Sequence, residues 1–353
     1  MIENTQQINQ LTGEQAELLT QLKINFVDLA SERTGGEALS CSDDFFAGMD
    51  NLLKAGRGIF IDDKYTDRGK WMDGWESRRS YGREFRLNSG IDYDWCIIRL
   101  GMRGRIKGFD IDTNFFRGNA PQFVAVEACD SPSRPDENTI WTEILSKIAV
   151  EAHSQNIIKI NTTSRWTHVR LKMYPDGGIA RFRVYGEVEV DWSEFESDEL
   201  IDLAFIKNGG KALLVSDMFF SDKNNLIMPG RGKDMGDGWE TKRRRDPGPD
   251  WSIVKLGSEG IINKVIIDTC HFKGNFPDTF MLEGLVSDDD DFTNENCDRN
   301  WQPIITQTKL QADKEHHYSD EIISDRMTKF THVRLSIFPD GGISRMRILG
   351  YKG

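Results

Sequence analysis

The chain has little of what would place it outside the soluble globular class. No apolar run approaches the ~18–20 residues of a membrane span. The opening MIENTQQINQ is polar, without the basic and apolar stretches of a secretory leader. Five cysteines (Cys41, Cys96, Cys129, Cys270, Cys297) form an odd, irregular set with no CxxC pair. They are expected to be reduced thiols, which points to the cytoplasm and away from a disulfide framework or zinc site. Basic excess is also missing: 45 Lys and Arg stand against 57 Asp and Glu, a net charge of −12. That balance argues against a nucleic-acid partner, which needs a basic face. It also means that any site for a small anion must be local, built from a few aimed arginines.

What the chain does have is a near end-to-end internal repeat, and its 353 residues suit two domains. DLAS followed by Gly35-Gly36 returns as DLAF followed by Gly209-Gly210, and SDDFF (Ser42–Phe46) returns as SDMFF (Ser216–Phe220). GRG at Gly56–Gly58 returns at Gly230–Gly232, and MDGWESRR (Met72–Arg79) as GDGWETKR (Gly236–Arg243). DWCIIRLG (Asp94–Gly101), IDTNFFRGNAP (Ile111–Pro121) and THVRLKMYPDGGIARFRVYG (Thr167–Gly186) also recur, from Asp250, Ile267 and Thr331. The offset between copies is 174 residues at first, 164 at DGWE, 156 in the middle and 164 at the end. Repeat one thus has ten extra residues before DGWE, around IFIDDKYTDRGK, and eight more after it. Insertions fall in loops, so DGWE lies beside loops that differ between copies. The division is expected at the acidic, exposed-looking VDWSEFESDE (Val190–Glu199), giving an N-terminal helical segment 1–25 and repeats 26–190 and 191–353.

Each repeat reads as β. Short segments alternate apolar and polar residues (Val169/Leu171, Phe182/Val184, Phe109/Ile111, Val265/Ile267, Phe123), bounded by Gly, Pro, Asp or Asn. YPDGGI and FPDGGI read as hairpin joints between two such strands. Short strands without helical periods suggest a β-sandwich. The exception is TGEQAELLTQLK (Thr12–Lys23), where Thr12 and Gln15 form a candidate capping box and Leu18, Leu19 and Leu22 an apolar stripe, so a short leading helix is expected.

The closing strings, THVRL…PDGGI.R.RV.G, resemble the last strands of the galactose-binding (discoidin-like) jelly roll, whose loops at one end bind ligand. At KWMDGWESRR, DWCIIRLG, DIDTNFFRGNAP and THVRLKMYPDGGIARFRVYG, each with its second copy, the sequence resembles the allantoicase family over roughly residues 26–352. The resemblance implies an all-β chain of two tandem galactose-binding-like jelly-roll sandwiches. It implies hydrolysis of allantoate to ureidoglycolate and urea in purine degradation, and a homo-oligomer, a hexamer. It does not supply a set of catalytic residues, so those are argued from chemistry.

Allantoate carries a carboxylate and two ureido groups on one sp³ carbon. Expelling one ureido group as urea, with the other pushing, requires an acid on the departing nitrogen, a base for water and a cationic clamp for the carboxylate. A divalent metal such as Mn could instead activate water, but the sequence has no HxH, HExxH or comparable string and implies no cofactor. The DGWE string offers Asp73, Glu76, Asp237 and Glu240 for proton transfer, beside Arg78, Arg79, Lys242, Arg243 and Arg244. Equally, Asp-Gly-Trp suits a tight turn with Trp75 and Trp239 plugging the core. Inward Val169, Leu171, Val333 and Leu335 place His168 with Arg170, and His332 with Arg334, on the opposite strand face. Asp112 and Asp268 point away from the core by the same rule, so an outward His–Asp–Arg set in each repeat is expected, either catalytic or an ion-paired face. Arg57 and Arg231 of the GRG strings join Arg78, Arg170, Arg243 and Arg334 as carboxylate candidates, and Asn119 and Asn275 of RGNAP and KGNFP as ureido candidates. Glu127 and Glu283 are expected to be solvated, most of His153, His271, His316 and His317 to lie at the surface, and SDDDDF (Ser287–Phe292) to be an acidic surface loop rather than a Ca²⁺ site. The rival reading is a non-catalytic tandem module binding carbohydrate or another small ligand.

Overall fold

Two nineteen-residue strands, Asp94–Asp112 and Asp250–Asp268, organise the two units of the chain, Met1–Glu189 and Val190–Gly353. The structure, a computed structural model, describes residues 11–80 and 88–353; the first ten residues of the expected helical segment lie outside the described residues.

In unit one the long strand belongs to two sheets. Its first half, Asp94–Gly104, pairs with Glu37–Cys41 on one side and Trp166–Tyr174 on the other, and Phe123–Cys129 and Thr142–Ala149 extend that sheet. Its second half pairs with Arg181–Val188 and Gln155–Lys159, and Val27–Asp28 closes that edge. Gly104 is opposite both Trp166 and Val188, so the strand turns there from one sheet into the other, as corner strands of β-sandwiches do. Val169, Leu171, Met173, Cys96 and Ile98 from one sheet, with Phe109, Ile111, Phe182 and Val184 from the other, are buried. The inward positions alternate as the sequence requires. Unit two repeats the topology around Asp250–Asp268, with Lys211–Val215, Phe330–Phe338, Thr279–Leu285 and Gln302–Lys309 on one half and Arg345–Lys352, Glu315–Tyr318 and Ile201–Asp202 on the other. The all-β architecture of two tandem galactose-binding-like jelly-roll sandwiches is therefore present.

Three local expectations are corrected. YPDGGI is not a hairpin joint: it carries the chain from Trp166–Tyr174 in one sheet to Arg181–Val188 in the other, and the two strands flank opposite halves of Asp94–Asp112. Gly178 and Ile179 pair instead with Glu76 and Trp75. The leading helix is Gly13–Asn25, but Thr12 makes no side-chain cap. Gln15 is used elsewhere, its Oε1 accepting from the Ile157 amide at 2.9 Å. The apolar stripe does act as expected, with Leu18, Leu19 and Leu22 packed on Ile157 and Tyr185. Finally, the acidic linker is partly tied down within unit two, because Lys352 Nζ donates to the carbonyls of Trp192 and Phe195.

Candidate active site

The strings SDDFF, GRG, DGWE, RGNAP and PDGG, scattered along the chain from Ser42 to Gly178, meet at one end of the repeat-one sandwich. The DGWE strand is the hub. Glu76 exchanges backbone hydrogen bonds with Ala47, Ser77 N donates to Gly177 O, and Gly178 N donates to Asn119 O at 2.7 Å. Gly177 has φ +142°, and a Cβ there would stand 2.7 Å from Asn119 O; a Cβ on Gly178 would sit 2.0 Å from the Phe116 ring. Only glycine allows the PDGG turn to lie against the RGNAP loop this closely.

Trp75 fills the space beneath. It is fully buried, and its indole N–H donates to Asp43 O at 2.9 Å. Trp239 does the same with Asp217 O at 2.8 Å. Both tryptophans therefore have the core role the turn reading assigns them. Asp73 and Asp237 are likewise structural: Arg181 reaches Asp73 Oδ2 at 2.6 Å and Arg345 reaches Asp237 Oδ2 at 3.0 Å, all four side chains being largely buried.

Glu76 is different. Its side chain is half-buried and accepts one hydrogen bond, from Asn119 Nδ2 to Oε1 at 2.7 Å. Oε2 has no protein partner among the described residues. Burial pushes the carboxyl above its ordinary pKa, and the Asn119 bond partly offsets that. Glu240 and Asn275 repeat the pairing in unit two. Two candidates chosen for separate chemical roles are thus adjacent in both repeats.

The arginine candidates are mostly engaged by buried carboxylates. Arg57 holds Asp112 through two parallel bonds, at 2.8 and 2.9 Å, and Arg231 holds Asp268 at 2.8 and 3.0 Å. Asp112 Oδ1 also accepts from Asn114 N, and Asp268 Oδ1 from Cys270 N, so each carboxylate is buried under its arginine and fully engaged. Arg78 Nε donates to Asp43 Oδ2 at 2.7 Å. Its equivalent in unit two is Lys242, which lies 3.5 Å from Asp217, whereas Arg243 corresponds to Arg79 and is exposed.

The outward His–Asp–Arg set does not form. His168 faces Arg99 in one sheet, while Asp112 lies opposite Arg181 in the other. His168 and Arg170 do share a face, but His168 and His332 are buried. Period two fixes which face a residue takes, not what covers it. Burial lowers both imidazole pKa values and so favours their neutral forms, partly offset at His332 by Asp290. Thr167 Oγ1 contacts His168 Nδ1 at 2.9 Å, and Asp290 lies 3.1 Å from His332 Nε2. Glu127 is not simply solvated: Arg170 and Lys172 both pair with it. Arg334 likewise bridges Glu283 and Asp298. His316 is buried rather than at the surface, accepting from Gln311 N and facing Ile267 O. Within SDDDDF, Asp290 pairs with Lys255 and Asp289 with Arg299.

Arg181 and Asp43, with their counterparts Arg345 and Asp217, were missed as site-building residues. Both lie in strings that recur with the same residue at those positions, so the repeat itself carried the signal. Among the described residues, no three His, Cys, Asp or Glu side chains converge as a metal-binding group.

The family model "Allantoicase repeat" matches residues 27–189 and 201–353. The chain belongs to the allantoicase family. A probable allantoicase of Photobacterium profundum is 46% identical over 329 residues, covering 93% of this chain and 97% of the relative. One from Pseudomonas syringae pv. syringae is 45% identical, covering 92% and 96%. Among solved structures, an allantoicase matches with TM-score 0.78 and 38% identity, covering 95% of this chain and 97% of that one. The allantoicase of Saccharomyces cerevisiae matches with TM-score 0.77 and 37% identity, covering 97% and 99%. The allantoicase match spans both repeats, and therefore both Glu–Asn pairs.

Proposed function

We propose that the chain hydrolyses allantoate to ureidoglycolate and urea, as a step in purine degradation. The observation that carries this reading is the family match across both repeats, over nearly the whole length of the relatives. The loop-end geometry supplies a mechanism. Protonated Glu76 gives its proton to the departing ureido nitrogen while the second ureido nitrogen pushes from the same carbon, so the C–N bond breaks and urea leaves. Water then adds to the resulting acylimine-like carbon and returns a proton to the Glu76 carboxylate, which restores the acid and yields ureidoglycolate. Burial favours the protonated acid needed for the first step. Asn119 orients Glu76 and presents its amide carbonyl to a ureido N–H. Arg78, tethered to Asp43 and still more than half exposed, supplies positive charge beside the substrate carboxylate. In this reading Arg57 and Arg231 act on substrate only indirectly, by fixing Asp112 and Asp268.

Reduced, unpaired cysteines and the acidic surface support a cytoplasmic enzyme. We take the homo-oligomer, a hexamer, from the family resemblance. Incubating the purified protein with allantoate and following urea and ureidoglycolate tests the assignment. Steady urea release is expected. Folded protein that releases none, with and without added Mn²⁺, but binds allantoate or a sugar would favour the non-catalytic module instead.

A further inference from the structure

The ten residues that repeat one adds before DGWE form a small hairpin, with Tyr65 opposite Lys70 and Thr66 opposite Gly69. Trp71 N closes it on Lys64 O at 3.0 Å. At its base, Ile59 N donates to Asp73 Oδ2 at 2.9 Å, and Phe60 stacks on Phe115 with centroids 5.5 Å apart. Phe115 begins the loop that carries Asn119. At its tip, Arg68 Nη1 donates to Phe45 O at 2.9 Å, and its guanidinium lies 4.9 Å from the Phe45 ring. Arg78 lies 5.2 Å from the same ring, and the next residues, Phe46 and Ala47, bond to Glu76 O. The hairpin therefore reaches from the Asn119 loop to the Phe45 loop, the two segments that flank Glu76.

Repeat two has no such hairpin. Its chain passes from GRG to DGWE through the short turn Met235–Asp237, and Met235 Sδ stands 3.8 Å from Asn275 Nδ2. Phe219 and Phe220 are 69% and 60% exposed, against 38% and 37% for their equivalents Phe45 and Phe46. Among the described residues no cation covers either ring.

Most hairpin cations are already used: Lys70 pairs with Asp62, and Lys64 lies 3.8 Å over the Trp71 ring. Arg68 is not. Tethered only through Nη1, it keeps its Nε–Nη2 edge for a ligand, and that edge is the one that grips a carboxylate with two parallel bonds. We propose that repeat one is the repeat that turns substrate over, and that Arg68 at the hairpin tip binds the carboxylate of the small ureido acid. This rests on the function proposed above. Repeat two then keeps the Glu–Asn pair as scaffold, inherited with the duplication.

The test uses the full-length protein and four point variants at three exposed or half-buried positions. Glu76→Gln is expected to lose ~10²-fold or more in kcat, and Glu240→Gln to stay within ~2-fold of the parent. Arg68→Ala is expected to raise KM for allantoate by ~10-fold or more while kcat changes little, with Arg68→Lys recovering part of the loss. A neutral amide analogue of allantoate should bind the parent and Arg68→Ala equally, which a purely structural arginine would not predict. Equal losses in Glu76→Gln and Glu240→Gln, or an unchanged KM in Arg68→Ala, would overturn the proposal. If the parent released no urea at all, the proposed function would fail. Calorimetric titration with allantoate would then still judge Arg68, with unchanged affinity in Arg68→Ala counting against it.

Discussion

Asn119 Nδ2 donates to Glu76 Oε1 at 2.7 Å, joining a loop residue to a strand residue 43 positions away. The bond holds the carboxyl in place and opposes the rise in its pKa caused by burial. If Glu76 is the acid, activity falls as pH rises through its pKa. Asn119→Ala removes the opposing bond, so the alkaline limb of kcat/KM should move to higher pH, and the plateau should drop by roughly 10-fold or more through lost positioning. A limb that moves to lower pH, in a variant with normal melting, would contradict this.

Trp75 and Trp239 are predicted to act on stability. Each fills a fully buried site and donates one hydrogen bond to a backbone carbonyl. Trp75→Ala should cost about 3–5 kcal/mol in chemical denaturation, the usual range for an aromatic cavity. Trp75→Phe should cost less, losing the hydrogen bond to the Asp43 carbonyl but little of the packing. A Trp75→Ala midpoint within error of the parent would remove the anchor role.

Arg57 locks Asp112, and only one of the two is buried: side-chain exposure is 24% for Arg57 and 2% for Asp112. Arg57→Ala strands a buried carboxylate and should destabilise by about 3 kcal/mol, the lower end for a broken buried pair. KM for allantoate should stay within ~2-fold. A large KM effect at parental stability would instead place Arg57 on the substrate.

Asp110 predicts a pH effect on stability. Burial, with the nearby Asp112 charge, pushes its carboxyl up to about 7 despite the Gln155 hydrogen bond and the charges of Arg183 and Lys23. Because the folded pKa lies above the unfolded value of roughly 3.9, the fold holds an extra proton between the two. Stability is therefore highest at low pH within this window and declines as pH rises through about 7. Asp110→Asn should melt higher than the parent at pH 8, with the gap narrowing towards pH 5. A gap independent of pH would contradict the burial argument.

Much of this organisation is legible in the sequence because duplication wrote it twice. Recurrent strings located the two sandwiches, the DGWE turn and the Asn119 loop. The alternation of Val169 and Leu171 fixed the inward face of their strand. Alternation could not show that His168 lies under a covered face, or that Asp112 belongs to the other sheet, because both depend on where the Asp94–Asp112 strand turns. Capping grammar failed at Thr12, whose side chain makes no cap, while Gln15 accepts from the Ile157 amide, a long-range partner that spacing cannot show. The Arg57–Asp112 lock joins two residues drawn from different candidate roles, and only tertiary structure reveals that they are partners.

In the proposed mechanism, Glu76 transfers protons during urea expulsion from allantoate. Single-turnover urea release by the parent and by Glu76→Gln, at matched folding and saturating allantoate, tests it most directly. The predicted result is urea release by the parent and a rate lower by ~10²-fold or more in the variant, with allantoate still bound. Equal rates in the two proteins would contradict it.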